Sequence, residues 1–187
     1  MTSSRKNKQL YIDKEAVSAL ELLKDGLLSP ATALMNSEES KSVLQTGMIN
    51  GKTFPFPFIL APSGKINAKV LKTLEVGEEL DIIFEKKLFA ILKVEEVFKI
   101  NSSNRIKQIY GTNDITHPGV TTTLDRLGSL AVSGNYELCN KPINTCKQKI
   151  QEAKQLINAK HTSSLVMAVN PLHRAHERLI RKTLETT

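Results

Sequence analysis

The sequence predicts a mixed α+β fold: N-terminal helices, then a small β-barrel or strongly twisted sheet, then the first strand and helix of an α/β domain. Three observations predict it. Apolar residues recur at helical spacing in "DKEAVSALELLKDG". Short apolar stretches between Phe54 and Ile100 alternate or run unbroken at strand length. From about Asn144 the texture is helical again, with one short apolar run inside it. A length of 187 residues suits one ordinary domain or a domain plus a fragment. The change of texture puts the boundary near Pro142, in "CNKPINTC", which gives segments 1–142 and 143–187.

The elements follow in order. Asp13 can cap the first helix, Val17, Leu20 and Leu23 face inward, and Gly26 can end it. "LSPATALM" starts as a turn and continues as a short helical piece, with Pro30 at a tolerated first position. Ser37 to Leu44 is a second helix. In "GKTFPFPFIL" the residues Phe54, Phe56 and Phe58 share a face. Pro55 and Pro57 cannot donate to a ladder, so the stretch is an edge or irregular strand. "LDIIF" and "LFAILKVEEVFKI", joined by Glu85-Lys86-Lys87, form a hairpin. Strands this short between Gly, Pro and Asn turns suggest a small barrel or strongly twisted sheet. Beyond Pro142, Thr145 and Gln148 have capping-box spacing, and Ile150, Ala153, Leu156 and Ile157 make one apolar face. "SSLVMAV" reads as a buried strand and "HRAHERLIRKTLE" as a helix.

Composition excludes several classes. Hydrophobic residues at 40% and charged residues at 24% indicate a folded, globular chain. No apolar run is long enough to cross a bilayer, and "MTSSRKNKQL" lacks the apolar core of a signal peptide, so no membrane partner is expected. Cys139 and Cys146 are too few for a disulfide framework and too isolated for a zinc site, which points to a reducing, cytoplasmic setting. The net charge of +7 permits an anionic partner, although lysines in mixtures such as "FEKKLFAILKVEE" read as solvated faces.

The chemistry concentrates between the last strand and helix, in "NPLHRAHE". Ligands of open α/β sheets bind where a strand ends and a helix begins, and the free N–H groups there favour anions. His173 and His176 are three apart and share one side of a helical turn. Arg174 adds a fixed positive charge and Asn170 an amide, so together they could clamp a triphosphate and stabilise charge on a transferring phosphoryl group. No metal site is expected, because the pattern lacks the Glu of His-Glu-x-x-His and a third ligand.

Taken whole, "NPLHRAHE" resembles the nucleotide-binding signature of the ATP sulfurylases, the sulfate adenylyltransferases. "DGLLSPATALMNSEESKSVL", "FPFPFIL" and "YGTNDITHPGV" look like other segments of that family, in the family's order, so the resemblance runs from about Leu10 to the end. It implies a PUA-like β-barrel domain followed by a Rossmann-like nucleotidyltransferase domain. It implies that Asn170, His173 and His176 are catalytic, that these three and Arg174 bind nucleotide phosphates, and that ATP arrives as substrate with Mg2+. No tightly bound cofactor is implied. Gly111, Thr112, His117, Pro118 and Val120 match a loop whose residues set turns and pack.

Two departures shape the reading. Where the family usually carries Gln-x-Arg, implied to hold sulfate, this chain has Met167-Ala168-Val169. Met167 and Val169 offer no side-chain donor. Losing two charge-assisted contacts of roughly 1.5–3 kcal/mol each could weaken sulfate binding by about a few hundredfold or more. The sequence also stops one helix past the histidines, where a Rossmann-like sheet would need further βαβ units. The expectation is therefore an ATP sulfurylase-like protein in partial form, inactive alone, acting with a complementing catalytic chain or as a homo-oligomer. The alternatives are a non-catalytic PUA-like module for RNA or protein, or nucleotidyl transfer to an acceptor other than sulfate. Nucleic acid is the weaker partner, since aromatics are 5% of the residues and Trp is absent.

Overall fold

Residues 7–139, 142–167 and 171–186 are described by the structure, a computed structural model, and the chain divides into two units, Met1–Ile143 and Asn144–Thr187. The apolar stretches from Leu80 onward form the expected hairpin. Strands β5 (Glu79–Phe84) and β6 (Lys87–Lys99) pair antiparallel, with Phe84 opposite Lys87. Glu85 and Lys86 between them have φ of 48° and 64°, the left-handed turn geometry whose twist matches that of the flanking strands.

Three further strands complete the first unit's main sheet. β7 (Leu127–Leu138) pairs antiparallel with β6, β1 (Lys8–Tyr11) runs parallel to β5, and β4 (Leu60–Pro62) pairs antiparallel with β7. The order is β1-β5-β6-β7-β4, with β2 (Met48–Ile49) and β3 (Lys52–Thr53) paired separately. The sheet is an open, curled half-barrel, which lies between the small barrel and the strongly twisted sheet that the sequence suggested. Its edges explain why. β4 is three residues long, and Pro55 and Pro57 ahead of it carry no N–H with which to extend a ladder.

The helices cover the sheet with the residues that periodicity assigned to their inner faces. α1 (Lys14–Lys24) buries Leu20 and Leu23, and Asp13 caps it by accepting the Ala16 N–H at 2.8 Å. α2 (Ser37–Thr46) begins with a capping box between Asn36 and Glu39 and ends at Gly47, whose φ is 66°. The Glu96 carboxylate accepts from the Ser37 N–H and hydroxyl at 2.9 and 2.6 Å, fastening this helix to β6. Leu20 and Leu23 of α1 and Val43 of α2 join Leu10, Leu80, Ile82, Leu92, Val94 and Val132 in one apolar cluster. Full burial of each contributes about 1.5–3 kcal/mol. The helical piece expected in "LSPATALM" does not form. Leu34 and Met35 are buried in irregular backbone, and the Met35 N–H donates to the Phe58 carbonyl at 2.9 Å. The segment's backbone partner thus lies across the fold, not one turn away.

Edge strand β1 is protected by a side chain. Asn67, on α3 (Lys65–Thr73), is 6% exposed and grips Tyr11 from both sides. Its Oδ1 accepts the Tyr11 N–H at 2.9 Å, and its Nδ2 donates to the carbonyls of Tyr11 and Ser63 at 2.8 Å. Asn67→Leu leaves these buried groups unpaired and is expected to cost about 2–3 kcal/mol in urea unfolding, whereas an unchanged midpoint would show that water replaces the amide.

Among the described residues the second unit holds two helices, the first of which starts just ahead of it. α6 (Pro142–Leu156) begins ahead of Thr145, so the expected capping box is not made, and Gln148 donates to Glu152 at 2.9 Å instead. The expected apolar face lies in the open, with Ile150 59% and Leu156 87% exposed. Of the expected strand "SSLVMAV", residues 163–167 are irregular, with Val166 fully exposed, while Ala168 and Val169 lie outside the described residues. A buried parallel strand requires neighbours on its edges, and the described residues of this unit supply none. α7 (Arg174–Thr186) is the helix expected in "HRAHERLIRKTLE". Among the described residues, no helix is long and apolar enough to cross a membrane.

Candidate nucleotide-phosphate site

The site is built on the start of α7. His173 occupies the position before the first helical residue, and His176 is three positions on. Their rings stand side by side, with centroids 3.9 Å apart and planes tilted by 53°. The His173 carbonyl accepts the N–H groups of His176 and Glu177 at 2.9 and 3.2 Å. The His173 N–H in turn points at Nδ1 of His176, 3.4 Å away. This is half of a capping box, with an imidazole in the place of the usual Glu or Gln.

That arrangement has a chemical consequence. With Nδ1 turned toward the His173 N–H, Nε2 is the ring nitrogen of His176 that can face a ligand. The N–H groups of Arg174 and Ala175 have no acceptor among the described residues. His173 and Arg174 are exposed and His176 is half-buried. The start of α7 therefore presents ring and backbone donors beside a guanidinium, the equipment for holding an anion. Farther along the helix Arg181 is paired with Glu177 at 2.8 Å. Asn170, Ala168 and Val169 lie outside the described residues, and Met167 is half-buried just before them. Among the described residues, no group of three His, Cys, Asp or Glu side chains could hold a metal ion.

A family model described as a PUA-like domain matches residues 1–141. A protein named sulfate adenylyltransferase from Synechococcus sp. (strain JA-3-3Ab) is 29% identical over 184 residues, covering 94% of this chain and 46% of the relative. One of the same name from Halothermothrix orenii is 26% identical over 187 residues, covering 95% of this chain and 48% of the relative. The chain belongs to the PUA-like domain family and, with these relatives, to the ATP sulfurylases. It spans about half the length of the curated relatives it matches. A solved structure described as a hexameric APS kinase from Thiobacillus denitrificans shares the fold. It superposes with a TM-score of 0.60 at 19% identity, covering 97% of this chain and 32% of that one.

In this ATP sulfurylase family member, "YGTNDITHPGV" joins two helices of the first unit. Gly111, with φ 72°, ends α4 (Ser102–Tyr110), and Pro118 opens α5 (Pro118–Arg126). His117 rests its ring 5.4 Å from that of Tyr110, and Val120 is fully buried. Gly119 passes so close to Tyr110 that an added Cβ would lie 2.7 Å from its ring. These residues hold α4 against α5, a packing role.

Proposed function

We propose that this ATP sulfurylase family member contributes a PUA-like unit and a nucleotide-phosphate loop to a nucleotidyltransferase of the sulfate adenylyltransferase type. In that reaction a sulfate oxygen attacks the α-phosphorus of ATP, giving adenylyl sulfate and pyrophosphate. The paired donors of His173 and His176 at the start of α7 carry the reading. They would hold phosphate oxygens of Mg2+-ATP and neutralise charge on the transferring group, with Arg174 as a fixed cation and Asn170 as a further donor. Catalysis would consist of positioning and electrostatics, with no covalent intermediate. A complementing catalytic chain or another copy of this one would provide the rest of the nucleotide crevice, which the two helices of the second unit do not form. Self-association finds support in the hexameric assembly named for the solved neighbour.

The acceptor is a separate matter. Met167 replaces a hydrogen-bonding side chain of the family pattern and is half-buried, which favours an acceptor less charged than sulfate.

Calorimetry with Mg2+-ATP and with pyrophosphate tests the phosphate grip. His173→Ala with His176→Ala is expected to weaken binding by about a hundredfold, the loss of two ligand hydrogen bonds. Unchanged affinity would sink the proposal and leave a PUA-like binding module as the better reading. The chain alone is expected to release no pyrophosphate in response to sulfate.

A further inference from the structure

The first unit contains a cleft of about 480 Å³ between α1, the Phe56–Pro62 stretch, α4 and α5. Leu20, Phe58, Ile59 and Ile109 make its walls apolar, and Phe56 stands at 42% exposure beside them. Two arginines also line it, in different electrostatic states. Arg126 is fully engaged: its Nε and Nη2 donate to the two oxygens of Asp13 at 2.6 and 2.9 Å, and Glu15 lies 3.7 Å away. The Arg126 guanidinium holds the Asp13 carboxyl below its usual range, as an ion pair requires.

Arg105 has no such partner. Its Nη2 donates to the Pro57 carbonyl at 2.9 Å, while Nη1 is shielded from water with no acceptor. No carboxylate lies within 4.0 Å of it among the described residues. Burial lowers its pKa to about 10, which still leaves it charged at neutral pH. A guanidinium offers five donors, and leaving a charged group mostly desolvated without a counter-ion is costly unless an anion completes it.

We propose that this cleft binds a small monocarboxylate with an apolar or aromatic body, its carboxylate on Arg105 and its body against Phe58, Ile59 and Ile109. The planar fork of a guanidinium matches a carboxylate in two-pronged geometry. A dianion fits worse. Asp13 and Glu15 line the same cleft, and the second cation, Arg126, is already neutralised by them. The volume falls within the range of about 300–1,000 Å³ typical of small-molecule sites. Since Nη1 is shielded, pairing takes a rotation about the terminal torsions of the Arg105 side chain.

The test uses the full chain, with benzoate, phenylacetate and indole-3-acetate as probes, their amides as neutral controls, and inorganic sulfate as the bare anion. In titrations followed by backbone NMR, at least one carboxylate is expected to bind with millimolar affinity or better, shifting resonances of Phe58, Ile109 and Tyr110. The matching amide should bind at least about tenfold more weakly, as should every probe to Arg105→Met. The proposal is overturned if no carboxylate binds at millimolar concentration, if acid and amide bind alike, or if sulfate binds as tightly as the best acid. Should Arg105→Met fail to fold, the comparison of acid with amide on the unaltered chain decides alone.

Discussion

Gly134→Val is expected to cost the first unit about 4 kcal/mol, enough to unfold much of a typical domain's margin. Gly134 lies on β7 opposite Val94, where the register between β6 and β7 shifts between Val94 and Glu96. Its φ is 155°, a conformation that L side chains rarely adopt. A Cβ there would collide with the Lys93 carbonyl oxygen and come within 3.2 Å of the Glu95 nitrogen. These are backbone atoms of the paired strand, so no side chain can swing aside. The bulge must open or the strands must part, and Glu96 then loses the placement that lets it hold Ser37. Urea unfolding followed by circular dichroism should show the midpoint collapse, with Gly134→Ala falling in the same direction. A valine variant with the wild-type midpoint would mean that the bulge relaxes freely.

Leu92→Ala is the second large effect, a loss of about 2–5 kcal/mol. Leu92 is fully buried at the middle of β6, with Leu80 opposite on β5 and Tyr136 opposite on β7. Strands on both sides fix its surroundings, so the cavity left by truncation cannot collapse easily. The Tyr136 hydroxyl, which donates to the Leu20 carbonyl at 2.7 Å, holds another wall in place. The midpoint should fall with the denaturant slope unchanged. Leu88→Ala, at a position 40% exposed on the same strand, is the control and should cost far less. Equal losses at the two positions would contradict the burial argument.

What could be read from the residues was local. Asp13 ahead of an apolar helical stripe, and two apolar stretches around Glu85-Lys86-Lys87, state their structure through short-range geometry, and both formed as expected. β7 was not legible. "LGSLAVSGNYEL" mixes Gly, Ser and Asn into a strand whose conformation is set by β6 and β4 on either side. The segment holding Leu165 and Val166 misled in the other direction, because an apolar run reports a preference for burial and says nothing of whether a partner is at hand. His173 and His176 could be placed at a helix start from spacing alone. The contact between the His173 backbone N–H and the His176 ring required coordinates. Arg105 could not be found from sequence, since a basic residue inside "SSNRIKQIY" looks like any solvated helix residue until its neighbours are known.

The strand order also dictates a timetable. Both edge strands are made early in synthesis, yet each pairs with a strand made later: Leu10 with Ile82, and Leu60 with Val132. A growing chain must therefore present most of this unit before the sheet can be completed, since β7 ends at Leu138. Such distant pairings slow folding and lengthen the interval in which unpaired edges are open to other nascent chains. The brevity of those edges, four residues in β1 and three in β4, leaves little ribbon for a stray chain to join while they wait.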